Sequence, residues 1–170
     1  SMTLSKTSVN TEEDSATIDV EVRITDDLVG PAGNGYSSSP SQIRFTHSSG
    51  QSVDAIFSAE NRISGTATDG IYRYTMTIPR GAAQGTWTAT YFLLADQVGN
   101  MRSLTTQQMN TAGFTTTFTQ AGQGDSQAPQ ALSMTLSRTS IDTAGASVTI
   151  DVEVQITDDL VGPSMGSQIR

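Results

Sequence analysis

His47 is the chain's single histidine, and it is followed directly by Ser48 and Ser49. A nucleophilic site needs a hydroxyl, a base within reach of it and a carboxylate to orient the base. His47 continues the Ile43/Phe45 face to a strand end beside Gly50, the place of an edge or turn histidine, and the expectation is a chain with no catalytic residue. There is no nucleophile elbow, phosphate loop or pair of histidine ligands. Without cysteine, a thiolate zinc site, a thiol nucleophile and a disulfide framework fall together. What remains is oxygen chemistry. Asp26 and Asp27 follow one apolar run, Asp96 and Asn100 follow another, and Asp158 and Asp159 repeat the first pair. Hard oxygen donors of this kind suit Ca²⁺; the same residues are also ordinary turn formers.

Lys and Arg number 9 against 17 Asp and Glu, a net charge of −8. That balance argues against nucleic acid, whose phosphates need a basic face, and against an anionic membrane surface. No apolar stretch approaches the ~18 residues of a membrane span. Tyr72 and Tyr74 share a strand face and could stack on a sugar, although tyrosines at that spacing also serve as core.

The elements that must position these groups come in a repeat. Ser1-Met-Thr-Leu-Ser returns as Ser133-Met-Thr-Leu-Ser, and Thr17-Ile-Asp-Val-Glu-Val returns as Thr149-Ile-Asp-Val-Glu-Val, an offset of 132 (133 − 1) in both. Ser41-Gln-Ile-Arg returns at Ser167 with an offset of 126 (167 − 41), so six residues of the Ala32–Pro40 tract are lost. Loss of an even or odd number is cheap only in a loop, which places that tract in one. The organisation expected is a complete repeat over 1–119, a Gly/Gln-rich linker over 120–130 and a partial second repeat over 131–170.

Within the repeat, Ile18, Val20, Val22 and Ile24 alternate with Asp19, Glu21 and Arg23. This is the mark of a strand with one buried face. Further sets follow: Ile43 and Phe45; Val53, Ala55 and Phe57; Tyr72 to Ile78; Trp87, Ala89, Tyr91 and Leu93; and finally Phe118. Phe92 and Leu94 make the other face of the Trp87 strand apolar too, which predicts a cover such as the Met109 segment, or a partner. One short helix is predicted, capped by Thr105 or Thr106, running through Met109 and ended by Gly113. About seven strands at this spacing predict an all-β antiparallel sandwich of immunoglobulin-like type, with Trp87 as its largest core residue.

The stretches Arg62-Ile-Ser-Gly-Thr-Ala-Thr-Asp-Gly-Ile-Tyr, Ile78-Pro-Arg-Gly-Ala-Ala-Gln-Gly-Thr-Trp-Thr and Asp96-Gln-Val-Gly-Asn resemble the bacterial immunoglobulin-like tandem repeats of large secreted and surface adhesin-like proteins. The resemblance implies an extracellular, non-enzymatic array at the bacterial cell surface that extends, spaces or adheres, its partners being neighbouring repeats. On immunoglobulin topology the loops carrying Asp26, Asp27, Asp96 and Asn100 fall at the end where a preceding domain attaches. Asp158 and Asp159 then fall near the linker residue Asp125, and Ca²⁺ bound at such a junction stiffens the array. Two other functions stay open. The partial repeat could complete a neighbouring chain by strand exchange and build a fibre, or the chain could be a carbohydrate- or protein-binding accessory domain of a secreted enzyme.

Overall fold

In a computed structural model of the chain, residues 1–31 and 40–158 are described. Two units result, Ser1–Ser126 and one beginning at Gln127. The Ala32–Ser39 part of the predicted loop lies outside the described residues.

The longest alternating run forms the centre of the first sheet. β3 (Ala16–Thr25) buries Ile18, Val20, Val22 and Ile24 and turns Arg23 and Thr25 to solvent. It pairs on one side with β1 (Met2–Leu4) and on the other with β7 (Asp69–Ile78) over ten residue pairs, from Ala16↔Ile78 to Thr25↔Asp69. The short β6 (Arg62–Gly65) closes the β7 edge, so the order is β1-β3-β7-β6. The outer face carries cross-strand ion pairs, Arg23 with Asp69 and Arg73 with Glu21. Such exposed pairs contribute about 0–1 kcal/mol each, so the inner face decides the stability.

The second sheet contains β2 (Ser8–Val9), β4 (Ser41–Thr46), β5 (Ser52–Phe57), β8 (Gly85–Ala95), β9 (Met101–Thr105) and β10 (Thr117–Gln120), in the order β2-β10-β8-β4-β5. β2 joins β10 in parallel; the other described pairings are antiparallel. β9 and β10 both pair with β8, at Tyr91–Ala95 and at 85–88 respectively. Between them lies α1 (Thr106–Thr111). Thr105 caps it: its side chain accepts from the Gln108 N–H, and the Gln108 side chain accepts from the Thr105 N–H, the reciprocal pair that satisfies two otherwise orphaned donors. Gly113 follows the helix at φ +74°, a conformation that favours glycine. Met109 on this helix is fully buried.

The two sheets share one core, with Ile18, Val20 and Tyr72 from the first and Ile43, Phe57 and Trp87 from the second. The chain is all-β and sandwich-like, as the alternation predicted. The first unit has ten strands among its described residues, because the first and last strands of the simple pattern are each broken in two and the edge strand β6 is added. Trp87 is the largest fully buried side chain; its ring stacks on Phe118 at 5.8 Å and its indole N–H donates to the Ala83 carbonyl at 3.0 Å. Tyr72 is 1% exposed. It is core, and the sugar-stacking face predicted as an alternative for Tyr72 and Tyr74 does not form.

The predicted parity of β8 needs correction. Arg44 faces Tyr91 while Phe45 faces Ala89, so Thr90 is an extra residue in β8. A bulge of this kind flips the faces beyond it. Trp87 and Ala89 point inward before it; Phe92 is buried after it, and Tyr91 is turned outward under the Arg44 guanidinium, 5.6 Å from its ring centre. The second apolar face of this strand is therefore the same core, entered from the other side of the bulge.

The predicted linker 120–130 is also divided. Gln120 is fully buried, and its amide donates to the carbonyls of Ala82 (2.7 Å) and Gly122 (3.1 Å). Gln51 donates to the Asp125 carbonyl at 2.6 Å and accepts from the Ala83 N–H. Gly124 packs so tightly that an added Cβ would lie 1.8 Å from the Ala82 carbonyl oxygen. Residues 120–126 are thus part of the first unit, strapped down by two glutamines.

In the second unit, β11 (Gln130–Leu136) and β12 (Val152–Thr157) form an antiparallel pair. Met134↔Val154, Thr135↔Glu153 and Leu136↔Val152 reproduce Met2↔Val22, Thr3↔Glu21 and Leu4↔Val20 at the repeat offset of 132. Even the flanking bonds recur: Ser5 N–H to Asp19 carbonyl becomes Ser137 N–H to Asp151 carbonyl, and the Ser5 hydroxyl accepting from Asp19 becomes Ser137 accepting from Asp151. Burial does not recur. Met2 is 1% exposed and Met134 57%; Val20 is 0% exposed and Val152 50%.

Candidate functional site

The β3 and β8 strands end side by side at the pole of the first unit where Ser1 also lies, since the Ser1 carbonyl accepts from the Arg23 N–H. Both strands run into acidic turns there. The Asp26 carboxylate accepts from the Leu28 and Val29 N–H groups, both at 3.0 Å. Gly30 follows at φ +74°, where a Cβ would sit 2.2 Å from the Ala67 carbonyl oxygen, so only glycine fits this close approach. On the other strand, Asp96 Oδ1 accepts from the Val98 and Asn100 N–H groups at 3.0 and 2.8 Å, and Oδ2 accepts from the Asn100 side-chain amide at 2.7 Å. The two turns are stitched by the Pro31↔Asp96 bridge and by Gln97 N–H to the Gly30 carbonyl. Between them opens a cleft of ≈ 210 Å³ whose lining includes Thr25, Asp26, Ser41, Asp96, Asn100 and Arg102.

Of the seven oxygen-ligand candidates, the fold thus gathers Asp26, Asp96 and Asn100 around one cleft, with Asp27 exposed beside them. A cation at this pole would have to be held by those residues. Asp125 is not among them. Its N–H donates to the Gly81 carbonyl, beyond the Ile78 end of β7 and so at the opposite pole of the same unit. Asp158 belongs to the second unit, where it lines a pocket with Gln127 and Ala128. Asp159 lies outside the described residues.

The turn bonds govern the charge state of these carboxylates. The Leu28 and Val29 N–H groups hold the Asp26 carboxyl below its ordinary value. For Asp96, burial pushes the pKa up, but the Asn100 side chain and the N–H groups of Asn100, Val98 and Gly99 outweigh it and the net shift is downward. A carboxyl whose folded pKa lies below its unfolded value of about 3.9 contributes stability that is present above that value and lost as pH falls through the folded pKa. The variant Asp96→Asn, which keeps the shape and removes the charge, is therefore expected to unfold at lower urea than the parent at pH 7. The gap should narrow as pH falls through the lowered Asp96 pKa, where the parent carboxyl itself takes up a proton. A gap that stayed constant with pH would mean that the charge does not serve this turn.

His47 stands in the turn after β4. Its Nδ1 accepts from the Ser49 N–H at 3.1 Å and lies 3.0 Å from the Ser49 hydroxyl, and its ring packs 5.6 Å from Trp87. In neutral imidazole, an accepting Nδ1 places the proton on Nε2. That nitrogen faces Gly85, where an added Cβ would lie 3.0 Å away. The arrangement orients a turn histidine over the core tryptophan.

Two features of the poles escaped the sequence reading. The glutamine straps of Gln51 and Gln120 join residues far apart in the chain, and Arg102 reaches the cleft from β9, a strand without an alternating pattern. Compared with family models, with curated proteins and with solved structures, the chain gives no match in any of the three.

Proposed function

We propose that the chain is a non-enzymatic, immunoglobulin-like module of a tandem array that acts as an extracellular spacer or stalk in a long surface protein. The observation that carries the reading is the β11–β12 ladder, which repeats the β1–β3 ladder residue for residue at an offset of 132. A sequence that starts the same sandwich again after one complete copy is built as an array, with each unit burying its own core. The strand order supports the immunoglobulin-like part of the reading. β1-β3-β7-β6 against β2-β10-β8-β4-β5 corresponds to the immunoglobulin order A-B-E-D against A′-G-F-C-C′. The strapped 120–126 segment supports the spacer role, because it extends the rigid unit into what would otherwise be a flexible joint.

Concatemers of the 132-residue repeat test it. Scattering from two, three and four copies should give rods whose length grows linearly with copy number. A compact particle whose radius grew only slowly with copy number would overturn the spacer reading.

The bare face of the β11–β12 hairpin favours a second reading, strand exchange between chains. Exchange within one chain is out of reach. With Asp125 strapped at the far pole, five residues to Gln130 (130 − 125) span at most ~18 Å, whereas the β3 ladder from Ala16 to Thr25 is ~30 Å long. Between chains, each hairpin that is seated displaces an equivalent one, so exchange yields little net burial. That arithmetic ranks the fibre second.

A further inference from the structure

The repeat lets one unit report what belongs in the other. In the second unit the ladder begins with Gln130↔Thr157 and Ala131↔Ile156, then passes an irregularity at Leu132 before Ser133↔Gln155. Ahead of it, Gln127 and Ala128 line a pocket together with Gln130, Thr157 and Asp158. In the first unit the ladder begins only at Met2↔Val22, preceded by the Ser1 carbonyl on Arg23. Ile24, Thr25 and Asp26 are the counterparts of Ile156, Thr157 and Asp158 (156 − 132 = 24). On the β1 side they have no ladder partner among the described residues, and they line the open cleft at the acidic pole.

We infer that this cleft is the docking seat for the linker of a preceding repeat, a segment of the Gln-Ala-Pro-Gln-Ala type found at 127–131. The inference rests on the array reading and names the partner of this pole. The chemistry of the seat suits that segment. Residues at the positions of Gln130 and Ala131 extend the β1 strand along the exposed edge of β3 by antiparallel addition, supplying backbone partners to Thr25. A proline at the position of Pro129 has no N–H to leave unsatisfied and turns the chain off the edge. Ile24 and Leu94 offer apolar contact to the small alanine and proline, while Asn100 and Arg102 offer donors to linker carbonyls and to the glutamine amide. Leu28 (79% exposed) and Val98 (71%) stand on the Asp26 and Asp96 turns, and Met101 (64%), at the start of β9, lines the cleft; exposed apolar side chains of this kind suit a contact surface.

The test adds Gln-Ala-Pro-Gln-Ala-Leu, a copy of residues 127–132, before Ser1 of the 170-residue chain, and compares it with a Gly/Ser extension of equal length. Amide exchange by NMR is the readout. The native extension should slow exchange at Thr25 by about tenfold or more and shift the Asn100 and Arg102 resonances, while the Gly/Ser extension does neither. Unchanged exchange at Thr25 in both, or equal slowing in both, would overturn the seat. Failure here would leave linear growth of the concatemers intact, whereas failure of the array reading would show as compaction of the concatemers with the seat still filled.

Discussion

Val20→Asp should abolish the folded state at room temperature, and Val152→Asp should leave the melting curve of the chain unchanged. The two valines have the same neighbours in sequence and hold the same position in the same antiparallel ladder, Leu4↔Val20 and Leu136↔Val152. Local propensity is therefore identical and only the surroundings differ. Val20 is fully buried between the sheets, whereas Val152 is 50% exposed. A carboxylate placed at position 20 has no partner in an apolar core, and such a group costs several kcal/mol even after it takes up a proton. A domain of this size has about 5–15 kcal/mol to lose. At position 152 the same carboxylate stays hydrated, and a surface change of this kind moves stability by no more than about 0.5 kcal/mol. Circular dichroism melts of the two variants read the difference. Equal loss in both would mean that the second hairpin is buried in solution.

Trp87→Ala is expected to cost about 3–5 kcal/mol, a drop in melting temperature of about 10 °C or more for a domain of this length. Three contributions add. The ring fills the space between the sheets at 1% exposure, it stacks on Phe118 with an interplanar angle of 13°, and its N–H satisfies the Ala83 carbonyl. That carbonyl lies in the turn which Gln51 also holds through the Ala83 N–H, so loss of the indole loosens the pole opposite the acidic turns as well as the core. Trp87→Phe separates the effects: it keeps most of the apolar contact and leaves the carbonyl unpaired, a loss of about 1–3 kcal/mol. Urea titration of the three proteins should rank them parent, Phe, Ala. A Phe variant as unstable as the Ala variant would assign the whole effect to the hydrogen bond.

Where the pattern is local, the fold could be read from residues alone. The β3 and β7 alternation is set by side-chain period within one strand, and the α1 cap is set by Thr105, Gln108 and Gly113 within nine residues. The Thr90 bulge was hidden because it is a mismatch between β8 and β4, and neither strand shows it alone. β6 and β9 were hidden because both lie at edges and bury almost nothing, so no apolar face announces them. The Gly-rich tail over 120–126 read as a linker because its glycines signal freedom. In the structure the same lack of side chains permits close packing on Ala82, and the glutamines do the fastening. At the acidic pole, the pairing of the Asp26 and Asp96 turns was legible from strand order. The use of those carboxylates by their own turns was legible too, as the turn-forming alternative; the glutamine bonds that hold the Asp125 segment were not, because they join residues far apart in the chain.

Completion of the second repeat is the most direct test of the central claim that the chain holds one whole sandwich and the start of an equivalent one. Arg170 corresponds to Arg44 (170 − 126), so a copy of Phe45 to Ser126 joined after Arg170 supplies the missing strands. Hydrogen exchange on the lengthened protein should show the amides of Val152–Thr157 protected to the level of their counterparts in Ala16–Thr25, with calorimetric unfolding heat close to twice that of the parent. Amides of the second hairpin that still exchanged freely, with no gain in unfolding heat, would contradict the equivalence of the two units and with it the array.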